Sequence, residues 1–82
     1  MNLVLLTEEL IKALAIQKDV VSVKEFPSDE ENVIVIQVMV SSEDIGRVIG
    51  KAGRNANAVR TLVQASSYLL DNKKVKINID SF

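Results

Sequence analysis

The feature that most constrains this fold is a pair of glycines, Gly50 and Gly53, set between two segments with helical patterns. Glycine populates backbone conformations with positive φ that side chains disfavour, and it lets another molecule approach the main chain closely. The segment therefore predicts two helices joined by the tight turn Gly50-Lys51-Ala52-Gly53. A chain built around such a turn must pack two consecutive helices against whatever core the rest of the sequence supplies.

Cations surround this turn, and no acid lies between positions 45 and 60. The four basic residues of that stretch are Arg47, Lys51, Arg54 and Arg60. A helix that begins just after the turn would direct its free N–H groups, around residues 52–55, and its positive dipole end towards the turn. This combination suits the binding of a phosphate backbone.

The net charge of −1 conceals an uneven distribution of charge along the chain. Residues 1–45 carry three bases and nine acids, a net charge of −6, whereas residues 46–82 carry seven bases and two acids, a net charge of +5. Such asymmetry between halves indicates an interaction face. The basic half is the one that contains the glycine turn.

The first half of the chain has the pattern of one helix and two strands. A helix is predicted over residues 7–18, with Thr7 as its N-cap, Glu8 and Glu9 in its first turn, and apolar residues at helical spacing. Residues 20–26 alternate as a strand whose buried side would carry Val21, Val23 and Phe26. Residues 33–40 are an almost unbroken β-branched run and predict the least exposed strand.

The second half predicts two helices and a final strand. The spacing Ser41-x-x-Asp44 resembles a capping box and would open a short helix that ends near residue 49. A longer helix is predicted over residues 55–70, closed by Asn72 in a left-handed conformation. Its apolar face would contain Val59, Leu62, Val63, Ser66 and Leu69. Val75, Ile77 and Ile79 alternate with polar residues as a half-buried strand.

The resulting order, α-β-β-α-α-β, predicts an α+β fold with a three-stranded sheet and helices packed on one face. With that order, the chain resembles a type II KH domain over almost all of residues 1–82, which are expected to form one domain. Residues 46–54 are similar to the KH signature, an Ile-Gly-x-x-Gly loop between two helices, and the continuation through residue 63 resembles the small bacterial KhpA-like RNA-binding proteins.

The resemblance implies that the chain binds single-stranded RNA through the Gly-x-x-Gly loop and an apolar groove, as KH loops clamp about four nucleotides. The groove would have Val48 and Ile49 as its floor and strand residues 33–40 as its wall. The expected RNA-binding residues are Arg47, Val48, Ile49, Gly50, Lys51, Ala52, Gly53, Arg54, Asn55 and Arg60. The resemblance also implies a role as an RNA chaperone or post-transcriptional regulator, a homodimer, and a heterodimer with a larger KH-containing protein.

Two of these cations have a second interpretation. Arg47 lies four residues after Glu43 and could pair with it on a helix surface. Arg60 lies one turn further along the long helix than the other cations and could cover apolar surface with its stem.

Other function classes fit the sequence less well. The chain has no histidine and no cysteine, so no enzyme activity, metal or cofactor is expected. The spacing of Gly46 and Gly50, with Ala52 after Lys51, matches neither a P-loop nor a dinucleotide fingerprint. The apolar run of residues 3–6 is too short for a signal peptide or membrane span, so a cytoplasmic protein is expected. The leading alternative is a protein-interaction module without intrinsic RNA affinity, and binding of DNA stays open.

Overall fold

The computed structural model describes residues 2–82, which form three α-helices, two short 3₁₀ turns and three strands. The elements are α1 (Leu3–Leu14), β1 (Ser22–Phe26), β2 (Val33–Val40), α2 (Ile45–Ile49), α3 (Arg54–Leu70) and β3 (Lys74–Ser81). This order confirms the predicted α-β-β-α-α-β arrangement. Within the described range, no helix combines the length and the apolar character that a membrane crossing requires.

The three strands form one sheet in the order β1-β2-β3. β1 pairs antiparallel with β2, with Val23 opposite Val38, and β3 pairs parallel with β2, with Ile77 opposite Ile36. A parallel pair needs a crossover connection, and α2 and α3 supply it. β2 is therefore the central strand, which its continuous apolar composition predicts.

The hydrophobic core lies between one face of this sheet and the helices. Alternate residues of β2 are buried on that face: Ile34, Ile36, Val38 and Val40. Ile11 of α1 and Val63 of α3 are completely buried among the same core residues. The opposite face of the sheet is open, and Phe26, which was expected on the buried side, is exposed there. The prediction that the helices cover one face is confirmed.

Helix α1 begins four residues earlier than predicted, at Leu3. Its N-cap is Asn2, whose Oδ1 accepts hydrogen bonds from the backbone N–H groups of Val4 at 2.8 Å and Leu5 at 3.2 Å. Thr7 is buried inside the helix, and its hydroxyl donates to the Leu3 carbonyl at 2.8 Å. The prediction of a cap at Thr7 was wrong because Asn2 is an equally good capping residue and lets Leu3 join the core.

Asp44 precedes α2 but does not cap it with its side chain. The buried carboxylate instead accepts the backbone N–H groups of Gln17 at 2.8 Å and Ile16 at 3.2 Å. The predicted capping box was therefore wrong, because the chain after α1 brings two N–H groups that need an acceptor. Asp44 joins the end of α1 to the start of α2.

The buried face of α3 differs from the predicted one. It consists of Ala56, Val59, Val63 and Ser67, whereas Leu62 and Leu69 are exposed. Ser67 faces inward because its hydroxyl donates to the Lys73 carbonyl at 2.7 Å. The prediction that Asn72 closes the helix is confirmed: its φ is 54° and its N–H donates to the Ser67 carbonyl at 2.9 Å.

Candidate nucleic-acid interface

The loop between α2 and α3 is a tight turn in which three residues have positive φ. Gly50 has φ 77° and ψ 170°, Ala52 has φ 55° and ψ 26°, and Gly53 has φ 74° and ψ 13°. The Gly53 N–H closes the turn on the Gly50 carbonyl at 3.1 Å. Only glycine readily adopts the Gly50 conformation, whereas the other two lie in the left-handed helical region.

Helix α3 begins at Arg54, directly after this turn. No side chain caps its N-terminus, and its first turn contains no acid. The first N–H groups of a helix have no partner inside the helix, and they carry the positive end of its dipole. The loop therefore lies against an uncapped, electropositive helix end, as the sequence predicts.

Asn55 stabilises the loop through its side chain. Its Nδ2 donates to the Arg47 carbonyl at 2.9 Å, which connects the first turn of α3 to the last turn of α2. A Cβ added to Gly50 would stand 2.8 Å from both Cγ and Nδ2 of Asn55. Gly50 is thus required by its φ and by this contact. The side-chain amide of Asn55 thus holds the loop, while the RNA contact expected of this residue concerns its backbone N–H group.

Three cations stand exposed around the turn: Arg47, Lys51 and Arg54. Among residues 2–82 the salt bridges are Lys12–Glu8 and Lys76–Glu30, so these three cations have no acidic partner there. Arg47 in particular does not pair with Glu43, whose carboxylate accepts a hydrogen bond from Gln17 Nε2 at 2.9 Å. All three are free to attract a polyanion.

Arg60 is placed differently from the other cations. Its Nε donates to the Ile77 carbonyl of β3 at 3.3 Å, and one of its terminal nitrogens approaches Asn57 Oδ1 at 3.5 Å. Its guanidinium therefore lies over the edge of β3 rather than at the turn. Among residues 2–82 Arg60 has no acidic partner, so its charge remains available to a polyanion.

The two residues expected to form the floor of a groove beside the loop differ in exposure. Val48 is completely buried, so it supports the surface from beneath, while Ile49 is 36% exposed and forms part of the surface itself. Of the three strands, β3 makes the most extensive contact with α2 and α3. Strand β2 lies in the middle of the sheet, so the expectation that residues 33–40 wall the groove was wrong.

The outer edge of β3 is partly occupied by side chains of α3. The backbone N–H groups of Lys74 and Phe82 donate to carbonyls at the two ends of β2. Every second residue of β3 therefore pairs with β2, and the residues between them direct their backbone N–H and C=O groups away from the sheet. Gln64 bonds this edge twice, from Nε2 to the Lys73 carbonyl and from the Val75 N–H to Oε1, each at 2.9 Å. Ile79, nearer the loop, is not bonded by any α3 side chain.

The sequence could not identify these edge contacts, because they involve backbone groups. Gln64 offers only a weak signal, as a polar residue beside the apolar face of α3. Outside the site, on α1, the hydrogen bond and charge of Glu8 raise the pKa of the Lys12 amine.

Comparison with known proteins gives a consistent family. The family model described as KhpA/KhpB, KH domain, matches residues 5–79. The RNA-binding protein KhpA of Clostridium perfringens is 42% identical over 74 residues, which are 90% of this chain and 95% of that protein. The RNA-binding protein KhpA of Treponema pallidum is 43% identical over 70 residues, 80% of this chain and 85% of that protein.

Two solved structures have a similar fold. A crystal structure of Aquifex aeolicus Era bound to GDP and aluminium fluoride matches 98% of this chain with a TM-score of 0.67 and 19% identity. A structure of Era with a nucleotide analogue and part of 16S ribosomal RNA matches 96% of this chain with a TM-score of 0.66 and 19% identity. The chain spans 30% and 29% of those Era chains, respectively, and at this identity the similarity concerns the fold alone.

Proposed function

The chain belongs to the KhpA/KhpB KH-domain family, and from this membership we propose that it binds single-stranded RNA at the turn between Gly50 and Gly53. The observation that carries the proposal is the uncapped N-terminus of α3 beside three exposed, unpaired cations, with no acid in the first turn. The relatives from Clostridium perfringens and Treponema pallidum are named RNA-binding proteins, which supports the choice of ligand.

The loop binds the phosphate backbone in this proposal. The first N–H groups of α3 donate to phosphate oxygens, while Arg47, Lys51 and Arg54 attract the strand electrostatically. A helix N-terminus stabilises an exposed anion by about 0.3–1 kcal/mol, so one domain binds weakly, in the micromolar range. Because glycine lacks a side chain, the strand approaches the main chain closely at Gly53, where an added Cβ would have only Asn57 nearby, at 3.7 Å.

The bases lie on the surface between α2 and β3. Ile49 supplies apolar contact, and Val48 supports that surface from within the core. The outward N–H and C=O groups of Ile79 are the backbone groups available to base edges at this end of β3. No catalytic role is proposed. Binding of this kind fits an RNA chaperone or post-transcriptional regulator formed by one KH domain.

The test replaces the exposed loop residues with acids, in the double variant Lys51→Asp with Ala52→Asp. Aspartate tolerates the left-handed conformation of position 52, so we expect the fold to be retained. Fluorescence anisotropy with short single-stranded RNAs should show at least a tenfold loss of affinity. DNA of the same sequence, titrated in parallel, decides whether the site distinguishes the two.

The control is Lys74→Asp with Asn78→Asp, which changes the net charge equally on the open face of the sheet, where both residues are exposed. It should keep most of the affinity. Equal losses in the two double variants would contradict a clamp at the loop. No binding by the natural protein would leave the interaction module without RNA affinity as the better function.

We also propose that the protein forms a homodimer through α1 and α3. These helices border a recess of about 190 Å³ whose lining is almost entirely apolar: Leu10, Ala13, Leu14, Asn55, Ala58, Val59 and Leu62. Leu62 is exposed at its border. A two-fold interface needs a protruding group and a recess in the same patch, and this face has both. A larger KH-containing partner would use the same face in a heterodimer.

Analytical ultracentrifugation tests the dimer. Leu62→Glu should shift the protein to a monomer, because a carboxylate would be buried in the apolar recess. Leu69→Glu is the matched control, since Leu69 is exposed on the same helix but does not line the recess. A natural protein that is monomeric at high concentration contradicts the proposal.

A further inference from the structure

A second recess lies on the other side of α3, over the outer edge of β3. It is a shallow, open recess with a volume of about 460 Å³. It is lined by Arg60, Thr61, Gln64, Ala65, Tyr68 and Val75. None of these lining residues is an acid, and the expected RNA-binding residues include only Arg60 among them.

Tyr68 gives this recess an aromatic surface. It is the one tyrosine of the chain, which has no tryptophan, and 56% of its surface is exposed. An aromatic ring beside a groove that binds a nucleic-acid strand offers a platform on which bases stack without strong sequence preference. Val75 and Ala65 extend the apolar surface beneath it.

The polar groups of the recess are held in place. Gln64 is bonded through both its amide nitrogen and its amide oxygen, each at 2.9 Å, and Arg60 is bonded to the Ile77 carbonyl at 3.3 Å. These bonds occupy the edge of β3 along residues 73–77. A protein strand could not add to this part of the sheet without breaking them, so an extended peptide fits the recess poorly.

The recess lies further along α3 from the proposed RNA clamp. Arg60, at its near end, follows Arg54 by six residues, which is about 9 Å along the helix axis. Arg60 has no acidic partner among residues 2–82, so its charge favours a polyanion at this end. A strand that runs from the loop along the edge of β3 would meet Arg60 at Ile77 and then the recess at Val75.

We propose that the recess binds a nucleobase of the same RNA strand, stacked on Tyr68, outside the segment of about four nucleotides that the loop holds. The inference rests on the proposed function, because it concerns the strand that the clamp binds. It assigns to this chain a longer footprint on RNA than the loop alone explains. Arg60 links the two parts by neutralising a phosphate between them.

The experiment compares an oligonucleotide of about four nucleotides with one of about eight, using the natural protein, Tyr68→Ala and Tyr68→Phe. We expect Tyr68→Ala to weaken binding of the longer RNA at least fivefold and to leave the shorter one unchanged. Tyr68→Phe should bind both like the natural protein, because the ring remains. Leu69→Ala is the matched control: it shortens a neighbouring side chain that is 88% exposed and outside the recess.

Tyrosine fluorescence gives an independent measurement, because the emission of this protein comes from Tyr68 alone. The longer RNA should quench it, and the shorter RNA should not. Equal affinity of the natural protein and Tyr68→Ala for the longer RNA, without quenching, overturns the stacking site but leaves the clamp intact. Failure of the natural protein to bind either RNA overturns both proposals.

Discussion

At the scale of single residues, the two glycines of the loop have different tasks. Gly50, with φ 77° and ψ 170°, lies in a region that is essentially restricted to glycine, and an added Cβ would stand 2.8 Å from Asn55. Gly53, with φ 74° and ψ 13°, lies in the left-handed helical region, and an added Cβ would meet only Asn57, at 3.7 Å. We therefore expect the two positions to respond differently to alanine.

Gly50→Ala should lower the free energy of unfolding by about 3 kcal/mol, because it combines a strained backbone with displacement of Asn55. Gly53→Ala should lower it by about 1 kcal/mol, from the backbone alone. Urea denaturation of both variants measures the difference. Gly53→Asn, which tolerates the left-handed region better, serves as the control. Equal losses for the two alanine variants would contradict the additional constraint on Gly50.

Asp44 is the buried residue that positions α2 relative to α1. Asp44→Ala leaves the backbone N–H groups of Ile16 and Gln17 without their acceptor, which should lower the free energy of unfolding by about 2–3 kcal/mol. Asp44→Asn keeps one acceptor oxygen and should lose about half as much. Chemical denaturation measures both variants, with Glu43→Ala as an exposed neighbouring control. A loss no larger than that of Glu43→Ala would contradict this role.

At the scale of elements, two residues are candidates for the N-cap of α1, Asn2 and Thr7. Asn2→Ala should destabilise the protein by about 1 kcal/mol, because it removes the acceptor for the N–H groups of Val4 and Leu5. Thr7→Val should cost less than that, because valine has a similar shape and the lost hydroxyl bonds a carbonyl inside the helix. Thermal or urea unfolding distinguishes them. A negligible loss for Asn2→Ala would contradict its role as the N-cap.

The elements also show which parts of the fold were predictable from sequence. The bounds of β2 at residues 33–40 agree with the prediction, because a central strand is buried on one face, partly covered on the other, and chemically uniform. The face of α3 was only partly predictable. Ser67 is polar yet buried, because its hydroxyl bonds the Lys73 carbonyl, and that carbonyl arrives from a later part of the chain.

The candidate site also has one part that was predictable from the sequence and one part that was not. The turn, its glycines and its cations are local in sequence, so their spacing predicts them. The groove beside them is not local, since it depends on β3 lying at the sheet edge next to α2 and α3. Residue type does not indicate which backbone groups, such as those of Ile79, face outward from the sheet. This is why the wall of the groove was expected on β2, whereas the strand beside α2 and α3 is β3.

At the scale of the whole molecule, the position of charge matters more than its sum. The chain has a net charge of −1, yet its loop cations have no acidic partners within residues 2–82. Other lysines lie far from the loop: Lys74 and Lys76 project from the open face of the sheet, and Lys76 pairs with Glu30 at 3.4 Å. RNA binding should therefore depend on which lysines and arginines are removed, even at constant net charge.

The salt dependence of binding measures this directly. If three to four phosphates are neutralised, the logarithm of the binding constant should fall against the logarithm of salt with a slope of about −2 to −3. Lys51→Gln with Arg54→Gln removes two cations at the loop and should reduce the magnitude of the slope by about 1.4. Each phosphate contact contributes about 0.7 to that magnitude, because it releases counterions from the RNA.

Lys74→Gln with Lys76→Gln removes the same charge from the open face of the sheet and should leave the slope close to that of the natural protein. Anisotropy titrations at several salt concentrations, with the same RNA, give all three slopes. Counterions are released only where the strand lies against the cations, so the slope locates the strand on the surface. Equal reductions in both double variants would mean that RNA responds to the overall charge of the protein, and the loop would then have no special part in binding.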